Sequence, residues 1–497
     1  MLKVLCLVML FLFALQPARD LDLGWHLRYG EYFFQTGQVL KDNLLSFVWP
    51  NYHWVQASWG FDLLVYQIFS HWSFWGLSLA GACLATLIFF LLASPLAKLS
   101  VLQLLLLELI YLPLGFLLYY QGLRSQTVSA FLFTLTLIVG YSWLGPNRVR
   151  IPSERLSLLL LPLLFLVWAN LHGGFILGLL VLILAWATHG VLIAVKRRRK
   201  LAWKTLPEKS WIFVGLLLLL SLFTPLINPW GLRIYEETVK HATNLNLAST
   251  GEWMPLAVGP PEILLPFIIV TLLVLALGIL RKESLHLPYL VSFAVVTLLA
   301  LGAVRFLIPW TIMAVYFLAK YSGKTHLAIL RYASVKTLGS LFVVGIIALD
   351  LLLTKRFFFL PTERLVHFSW SDYCQPTLCS EALTQKMLAD PPPSIGYHPG
   401  SMGGYLSWRV PQVKTFIDGR MAAWESNGQT PPVTAQTEPV LNERYPVTFI
   451  KFDNQYHFHW AIVPINSNIK AYLDILVKNH LWEQRYEDQI YSYYVKI

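Results

Sequence analysis

Apolar residues in this chain fall into long uninterrupted blocks rather than short alternating runs. Blocks at 2–17, 74–95, 101–120, 126–144, 156–170, 174–195, 211–227, 262–280, 286–303, 305–320 and 337–354 carry almost no charge. A helix rises about 1.5 Å per residue, so blocks of this kind can cross the ~30 Å hydrocarbon layer of a bilayer. The pattern therefore predicts about eleven transmembrane helices. The stretch 2–15 behind Lys3 also has the form of a signal-peptide apolar region with a small-residue site at Ala18. The acidic segment after Ala18 favours a first membrane helix that holds those acids at the membrane surface.

Composition agrees with the pattern. Hydrophobic residues make up 56% and charged residues 13% of the chain, and the mean hydropathy is +0.56. Both lie outside the range of soluble globular proteins. The expected fold class is an α-helical polytopic membrane protein with a small C-terminal α/β domain.

Lysines and arginines orient it, because cytoplasmic loops are enriched in them. With the N-terminus inside, eighteen fall on the inner side, from Lys3, Lys98, Arg148, Arg150 and Arg155 through the run 196–200 to Lys320, Lys324, Arg331 and Lys336. Seven fall outside: Arg19, Arg28, Lys41, Arg124, Arg233, Lys240 and Arg305. From Lys355 onward, thirteen bases balance thirteen acids, so the net +11 belongs to the membrane part. It reports orientation, and no nucleic-acid partner is expected. The reading is a multi-pass cytoplasmic-membrane protein with its N-terminus inside and its C-terminal domain outside.

The organisation expected is a membrane domain at 1–354, with a first outer loop at 18–61, followed by a soluble domain at 355–497. That domain shows a helical stretch at 380–389, β-rich runs at 413–417, 460–464 and 490–495, and a polar, mobile-looking segment at 426–438. Cys374 and Cys379 are spaced for a disulfide in an oxidising compartment. A metal pair is the alternative, although no second Cys/His pair at ligand spacing accompanies them.

Polar clusters gather on the outer side: Asp20, Asp22 and His26, then Arg124, Asn170 and His172, Asn228 and Glu252, and Arg305. In the first loop Trp25, Leu27, Tyr29, Phe33 and Phe34 oppose Arg28 and Glu31, the pattern of a short interfacial helix. Asp20 or Asp22 directly after a membrane helix can reach a lipid-borne substrate as general base. Either can also cap the interfacial helix. Arg124 and Arg305 at helix starts need an anionic partner, a lipid phosphate or an acidic side chain; snorkelling anchors are the plainer reading. His172, in Asn170-Leu171-His172-Gly173-Gly174, can donate to a phosphate oxygen, move a proton or cap a helix. Glu108 and Asp350 lie inside predicted helices, where ionisable groups need partners.

The order of these motifs carries a resemblance. An acidic pair with Trp25-His26-Leu27 after helix one is followed by Arg124-Ser125-Gln126 and by Trp168-Ala169-Asn170-Leu171-His172-Gly173-Gly174. Asn228-Pro229-Trp230-Gly231, Glu252-Trp253, Gly403 to Arg409 and Phe416-Ile417-Asp418-Gly419-Arg420 complete it. The sequence resembles bacterial polytopic proteins related to the GT-C glycosyltransferases, which include protein mannosyltransferases and lipid A aminoarabinose transferases. The resemblance implies transfer of a sugar from a polyprenyl-phosphate donor, presented by membrane lipid, to a lipid, glycan or protein acceptor at the outer leaflet. It implies an aspartate of the first loop, Asp20 or Asp22, as base, with Arg124, His172 and Arg305 on the leaving phosphate. Trp25, His26, Asn170 and Glu252 would complete the site, and Tyr405, Trp408, Arg409, Asp418 and Arg420 would position the acceptor. An ordinary core with Asp418 paired to Arg409 or Arg420 is the alternative for those last residues.

One departure stands out. Members of that family often carry an acid before the tryptophan at the position of Trp59, where this chain has Ser58. Asp42 or Asp62 are the substitutes in reach, and metal dependence stays open; Asp20, Asp22 and His26 offer a partial divalent site. Two other classes compete: a transporter of a lipid-linked or anionic substrate, and a silent scaffold. Asp20 and Asp22 separate them, since only an enzyme loses turnover when one becomes asparagine.

Overall fold

The computed structural model describes residues 2–94, 99–144, 154–199, 207–243, 251–258, 261–280, 287–322, 369–374, 378–393, 395–425, 431 and 443–497. The expected helix at 337–354, Asp350, the boundary at 354 and the segment 426–438 apart from residue 431 lie outside them. So do Lys98, Arg148, Arg150, Lys200, Lys204, Arg281, Lys282, Lys324, Arg331 and Lys336 of the basic series.

The other ten apolar blocks are helices. In chain order the elements are α1 (Leu2–Ala14), α2 (Leu23–Thr36), α3 (Trp59–Leu92), α4 (Val101–Leu114), α5 (Ser125–Leu144), α6 (Glu154–Leu171), α7 (Phe175–Arg199) and α8 (Glu208–Phe223). Then come α9 (Arg233–Thr243), α10 (Pro261–Leu280), α11 (Leu287–Gly302) and α12 (Leu307–Ser322). Short polar signals set some ends. At α4, Ser100 Oγ accepts the Gln103 N–H at 3.2 Å while Gln103 Oε1 accepts the Ser100 N–H at 2.8 Å, a reciprocal cap. Within α3, Ser73 has φ 51° and ψ −150°, which breaks the helix just before the apolar block at 74 begins. By length and composition four described helices can cross a membrane unaided: Trp59–Leu92, Phe175–Arg199, Glu208–Leu226 and Glu262–Leu280.

The chain divides into two compact units. The first comprises 1–17, 78–238 and 248–366. With no water in hydrocarbon, several of its helices satisfy a side-chain donor on a neighbour's carbonyl. Tyr111 OH donates to Ala85 O at 2.7 Å, Thr311 Oγ1 to Leu114 O at 2.9 Å and Ser292 Oγ to Val181 O at 2.9 Å. Trp186 and Trp211 stack at 4.7 Å, each indole N–H donating to the other's carbonyl.

The second unit comprises 18–77, 239–247 and 367–497. It contains α2, α13 (Trp370–Cys374), α14 (Glu381–Ala389), α15 (Gly400–Arg409), α16 (Val447–Tyr456) and α17 (Asn468–Lys478). Its strands are β1 (Gly396–Tyr397), β2 (Trp460–Pro464), β3 (Trp482–Glu487) and β4 (Tyr491–Lys496). They form one sheet in the order β1-β2-β4-β3, with β1 parallel to β2 and the other pairs antiparallel. The core is shared between loop and C-terminal residues: Trp25, Tyr29, Val48 and Trp54 pack with Tyr397, Phe416, Trp424 and Phe458. Cys374 and Cys379 form the expected disulfide.

One expected strand is absent. The run 413–417 makes only a single bridge, Thr415 to Ser46, because its neighbours' hydrogen bonds go elsewhere. Thr415 N–H donates to Leu45 O at 2.9 Å and Phe416 N–H to His398 Nε2 at 2.7 Å. That imidazole is therefore a neutral acceptor, and burial holds it down at about 4.

Candidate functional site

The chemistry-bearing residues form two groups, one in each unit. In the first unit, Gly122 has φ +76° and turns the chain into Arg124, which opens α5. Arg124 Nη1 meets Glu252 Oε1 at 2.5 Å. Glu252 lies on the turn Gly251–Trp253, and Val304 N–H donates to Met254 O at 3.0 Å, tying that turn to the one before α12. Burial would raise the Glu252 carboxyl, but the Arg124 charge and hydrogen bond, with Arg305 behind them, hold it below the usual range. Arg305 Cζ lies 4.2 Å from the centre of the Trp253 ring, a cation–π contact. Its guanidinium makes no hydrogen bond among the described residues. One carboxylate thus faces two guanidiniums, an excess of positive charge, and the donors of Arg305 are unengaged among the described residues.

His172 and Asn170 make bonds of their own around the ends of α6 and α7. His172 Nδ1 accepts the Gly174 N–H at 2.9 Å and lies 3.0 Å from Ser129 Oγ. Those bonds assign the ring proton to Nε2 and make His172 a cap at the start of α7. Asn170 Nδ2 donates to Leu166 O at 2.8 Å and Ile227 O at 2.9 Å, fastening the end of α6 to the following turn. Asn228 closes its own turn by donating to Pro225 O and Gly231 O.

In the second unit, Asp20 is 7% exposed and its Oδ1 accepts the Asp22 N–H at 3.2 Å. Tyr373 OH donates to the Asp20 carbonyl at 2.7 Å. Asp22 stands at the N-cap position of α2 but makes no side-chain cap bond. Its Oδ1 accepts the Trp25 indole N–H at 2.8 Å instead. The helix expected here is α2, but Trp25 and Tyr29, expected to face lipid or the bundle, are buried in the core of this unit; Leu27 is buried too, and Arg28 pairs with Glu31. His26 Nδ1 lies 2.5 Å from Asp62 Oδ1, and the Gln56 amide donates to both oxygens of that carboxylate. This engagement takes the His26 Nδ1 away from the divalent site considered for Asp20, Asp22 and His26. Among the described residues no three His, Cys, Asp or Glu side chains are grouped to hold a metal.

The C-terminal candidates lie mostly inside the unit. Asp418 and Arg420 have 0% side-chain exposure and pair at 2.6 Å, and Arg420 Nη1 donates to Tyr29 OH at 2.9 Å. Tyr405 OH donates to Glu381 at 2.5 Å, and the same carboxylate pairs with Arg409. Trp408 packs edge-on to Tyr66 and Phe69. Gln56 is an addition that no spacing or motif in the sequence marks, and Trp253 stands in the Glu252-Trp253 motif without a role assigned to it there.

No protein-family model matches the chain, and no curated protein matches it. Solved structures do. ArnT from Cupriavidus metallidurans in the apo state superposes with a TM-score of 0.56 at 12% identity, covering 100% of this chain and 97% of that one. The same enzyme bound to undecaprenyl phosphate gives 0.54 at 11% identity, with the same coverage. The oligosaccharyltransferase AglB from Archaeoglobus fulgidus, in complex with an inhibitory peptide and a dolichol-phosphate, gives 0.55 at 10% identity, covering 93% of this chain and 69% of that one. The chain therefore has the fold of the GT-C membrane transferases that its motifs resemble.

Proposed function

We propose that this protein is a membrane glycosyltransferase that moves a sugar from a polyprenyl-phosphate carrier to an acceptor hydroxyl at the outer face of the cytoplasmic membrane. The observation that carries the reading is Arg305: a half-buried guanidinium stacked on Trp253, with no hydrogen-bond acceptor among the described residues, beside the Arg124–Glu252 pair. A planar fork of donors held by an aromatic face suits a phosphate oxygen pair. The fold's solved relatives include structures holding undecaprenyl phosphate and dolichol-phosphate, which supports a lipid phosphate as the ligand.

In the reaction, the acceptor oxygen attacks the anomeric carbon and the bond from that carbon to the phosphate oxygen breaks. The polyprenyl phosphate leaves with the electron pair. Asp22 or Asp20 takes the proton from the attacking hydroxyl, and the configuration at the anomeric carbon inverts. Negative charge grows on the leaving phosphate, so Arg305 and Arg124 bind the transition state more strongly than the ground state. His172, with its proton on Nε2, is assigned a donor role to the same phosphate.

The test is transfer by the purified protein in lipid nanodiscs offered a panel of radiolabelled undecaprenyl-phosphate sugars. Label should move to acceptor or water, and Arg305→Ala and one of Asp20→Asn and Asp22→Asn should abolish it with the fold intact. Saturable, Arg305-dependent binding of undecaprenyl phosphate without turnover of any donor would instead point to a transporter or a silent relative.

A further inference from the structure

Gly419 lies between the two members of a fully buried ion pair. Asp418 and Arg420 are bonded through Oδ2–Nη2 at 2.6 Å and Oδ1–Nε at 2.8 Å. Arg420 is further fixed by Tyr29 OH at 2.9 Å and by the Trp424 ring, 5.4 Å from its Cζ. Breaking such a pair would leave an uncompensated charge buried, so the backbone carrying Gly419 is a rigid wall.

Asp22 leans on that wall. A Cβ built on Gly419 would stand 2.2 Å from Asp22 Oδ1, 3.1 Å from its Cγ and 3.3 Å from its Oδ2, and these are its three nearest atoms. The same Oδ1 accepts the Trp25 N–H at 2.8 Å. The start of α2 is held by a second glycine contact: a Cβ on Gly404 would lie 2.5 Å from Leu21 O, and one on Gly24 would lie 1.8 Å from Gly404 O. Residues nearly 400 positions away in sequence thus define where the first loop's carboxylate sits.

We propose that Gly419 is a positioning residue for Asp22, so that segment 418–420 serves the reaction through the base rather than through the acceptor. The inference rests on the reading of Asp22 as proton acceptor. The three atoms nearest an added methyl at Gly419 all belong to the tip of one short side chain, while the wall behind it is locked. Asp22 moves and the fold survives. Misplacement of a reacting group by about 1 Å costs on the order of 100-fold in rate.

The experiment compares wild type, Gly419→Ala, Asp22→Asn and the double variant in nanodiscs, each labelled with 5-fluorotryptophan. The Trp25 fluorine line, assigned by its loss in Trp25→Phe, should shift in Gly419→Ala as it does in Asp22→Asn. With a turned-over undecaprenyl-phosphate sugar, kcat should fall about 100-fold with donor KM unchanged, and Gly419→Ala should add nothing to Asp22→Asn. An unmoved Trp25 line, or a loss that adds in full to that of Asp22→Asn, overturns the proposal. Wild-type turnover in Asp22→Asn, with the line still displaced by Gly419→Ala, overturns the proton-acceptor reading and leaves the contact standing. If Gly419→Ala alone does not assemble, adding Asp22→Ala should restore assembly, and failure to do so also overturns the proposal.

Discussion

His26 Nδ1 lies 2.5 Å from Asp62 Oδ1, with both residues buried at 4% and 1% exposure. Burial alone would lower the His26 pKa, but the Asp62 hydrogen bond and charge, with Asp20 and Asp22 beyond, raise it above the usual value. A raised value means that the folded protein holds the proton more tightly than the unfolded chain, whose histidine titrates near ~6.5. The stabilisation is then complete below about pH 6.5 and disappears as pH climbs through the raised folded value. The gap in unfolding midpoint between wild type and His26→Gln should therefore narrow as the buffer is taken from mildly acidic to alkaline. A gap independent of pH would mean that folding leaves the His26 pKa unshifted, and a gap that widens as pH rises would mean that burial keeps the ring neutral.

Removing the carboxylate is a separate matter. Asp62→Ala strips His26 Nδ1 of its acceptor in a site that water barely enters, and loss of one partner of a buried pair costs about 3 kcal/mol or more. Thermal unfolding in detergent should show that drop, and Asp62→Asn, which keeps an acceptor oxygen, should lose less. Equal stability in Asp62→Ala and wild type would rule out a stabilising pair.

Glu252 competes with any phosphate for Arg124. The ion pair at 2.5 Å neutralises one guanidinium and is felt by the other. In Glu252→Gln both guanidiniums keep their charge and the competitor loses its own. Undecaprenyl phosphate should bind about tenfold more tightly, equivalent to ~1.4 kcal/mol, with a steeper dependence on salt. Equilibrium binding of labelled lipid to nanodiscs reads this directly, and weaker binding would show that Glu252 supports the turn more than it blocks the ligand.

The Cys374–Cys379 bridge closes a short loop, five positions in sequence. Short loops gain little entropy from closure, so Cys379→Ser should cost about 2 kcal/mol and leave donor binding intact. A midpoint unchanged within error in non-reducing buffer would show that the bridge adds nothing to the fold.

What the sequence could show depended on how local the cause was. Helices written as apolar blocks were legible because each block needs only its own length, and the break at Ser73 fell where the polar pattern ended. The disulfide was legible for the same reason. The run 413–417 looked like a strand because its residues favour one, yet Thr415 and Phe416 spend their N–H groups on Leu45 and His398. Those partners are remote in sequence, as are Gly419 for Asp22 and Asp62 for His26. Asp22 illustrates the limit: its N-cap position is readable, but the carboxylate bonds Trp25 rather than the helix end.

Gly81 offers the converse of Gly419. A Cβ on Gly81 would stand 2.7 Å from Gly122 C, 2.9 Å from Leu123 N and 3.0 Å from Gly122 O, all backbone atoms of the turn that delivers Arg124. That turn is already confined to glycine by φ +76° at Gly122. Here no side-chain tip can yield, so α3 and the turn must separate. Gly81→Val should cost about 1–3 kcal/mol by overpacking and draw Arg124 away from Glu252. Binding of undecaprenyl phosphate should fall toward that of Arg124→Ala, in contrast to Gly419→Ala, where binding stays and turnover goes. Wild-type binding in a folded Gly81→Val protein would show that the position of Arg124 does not depend on this backbone contact.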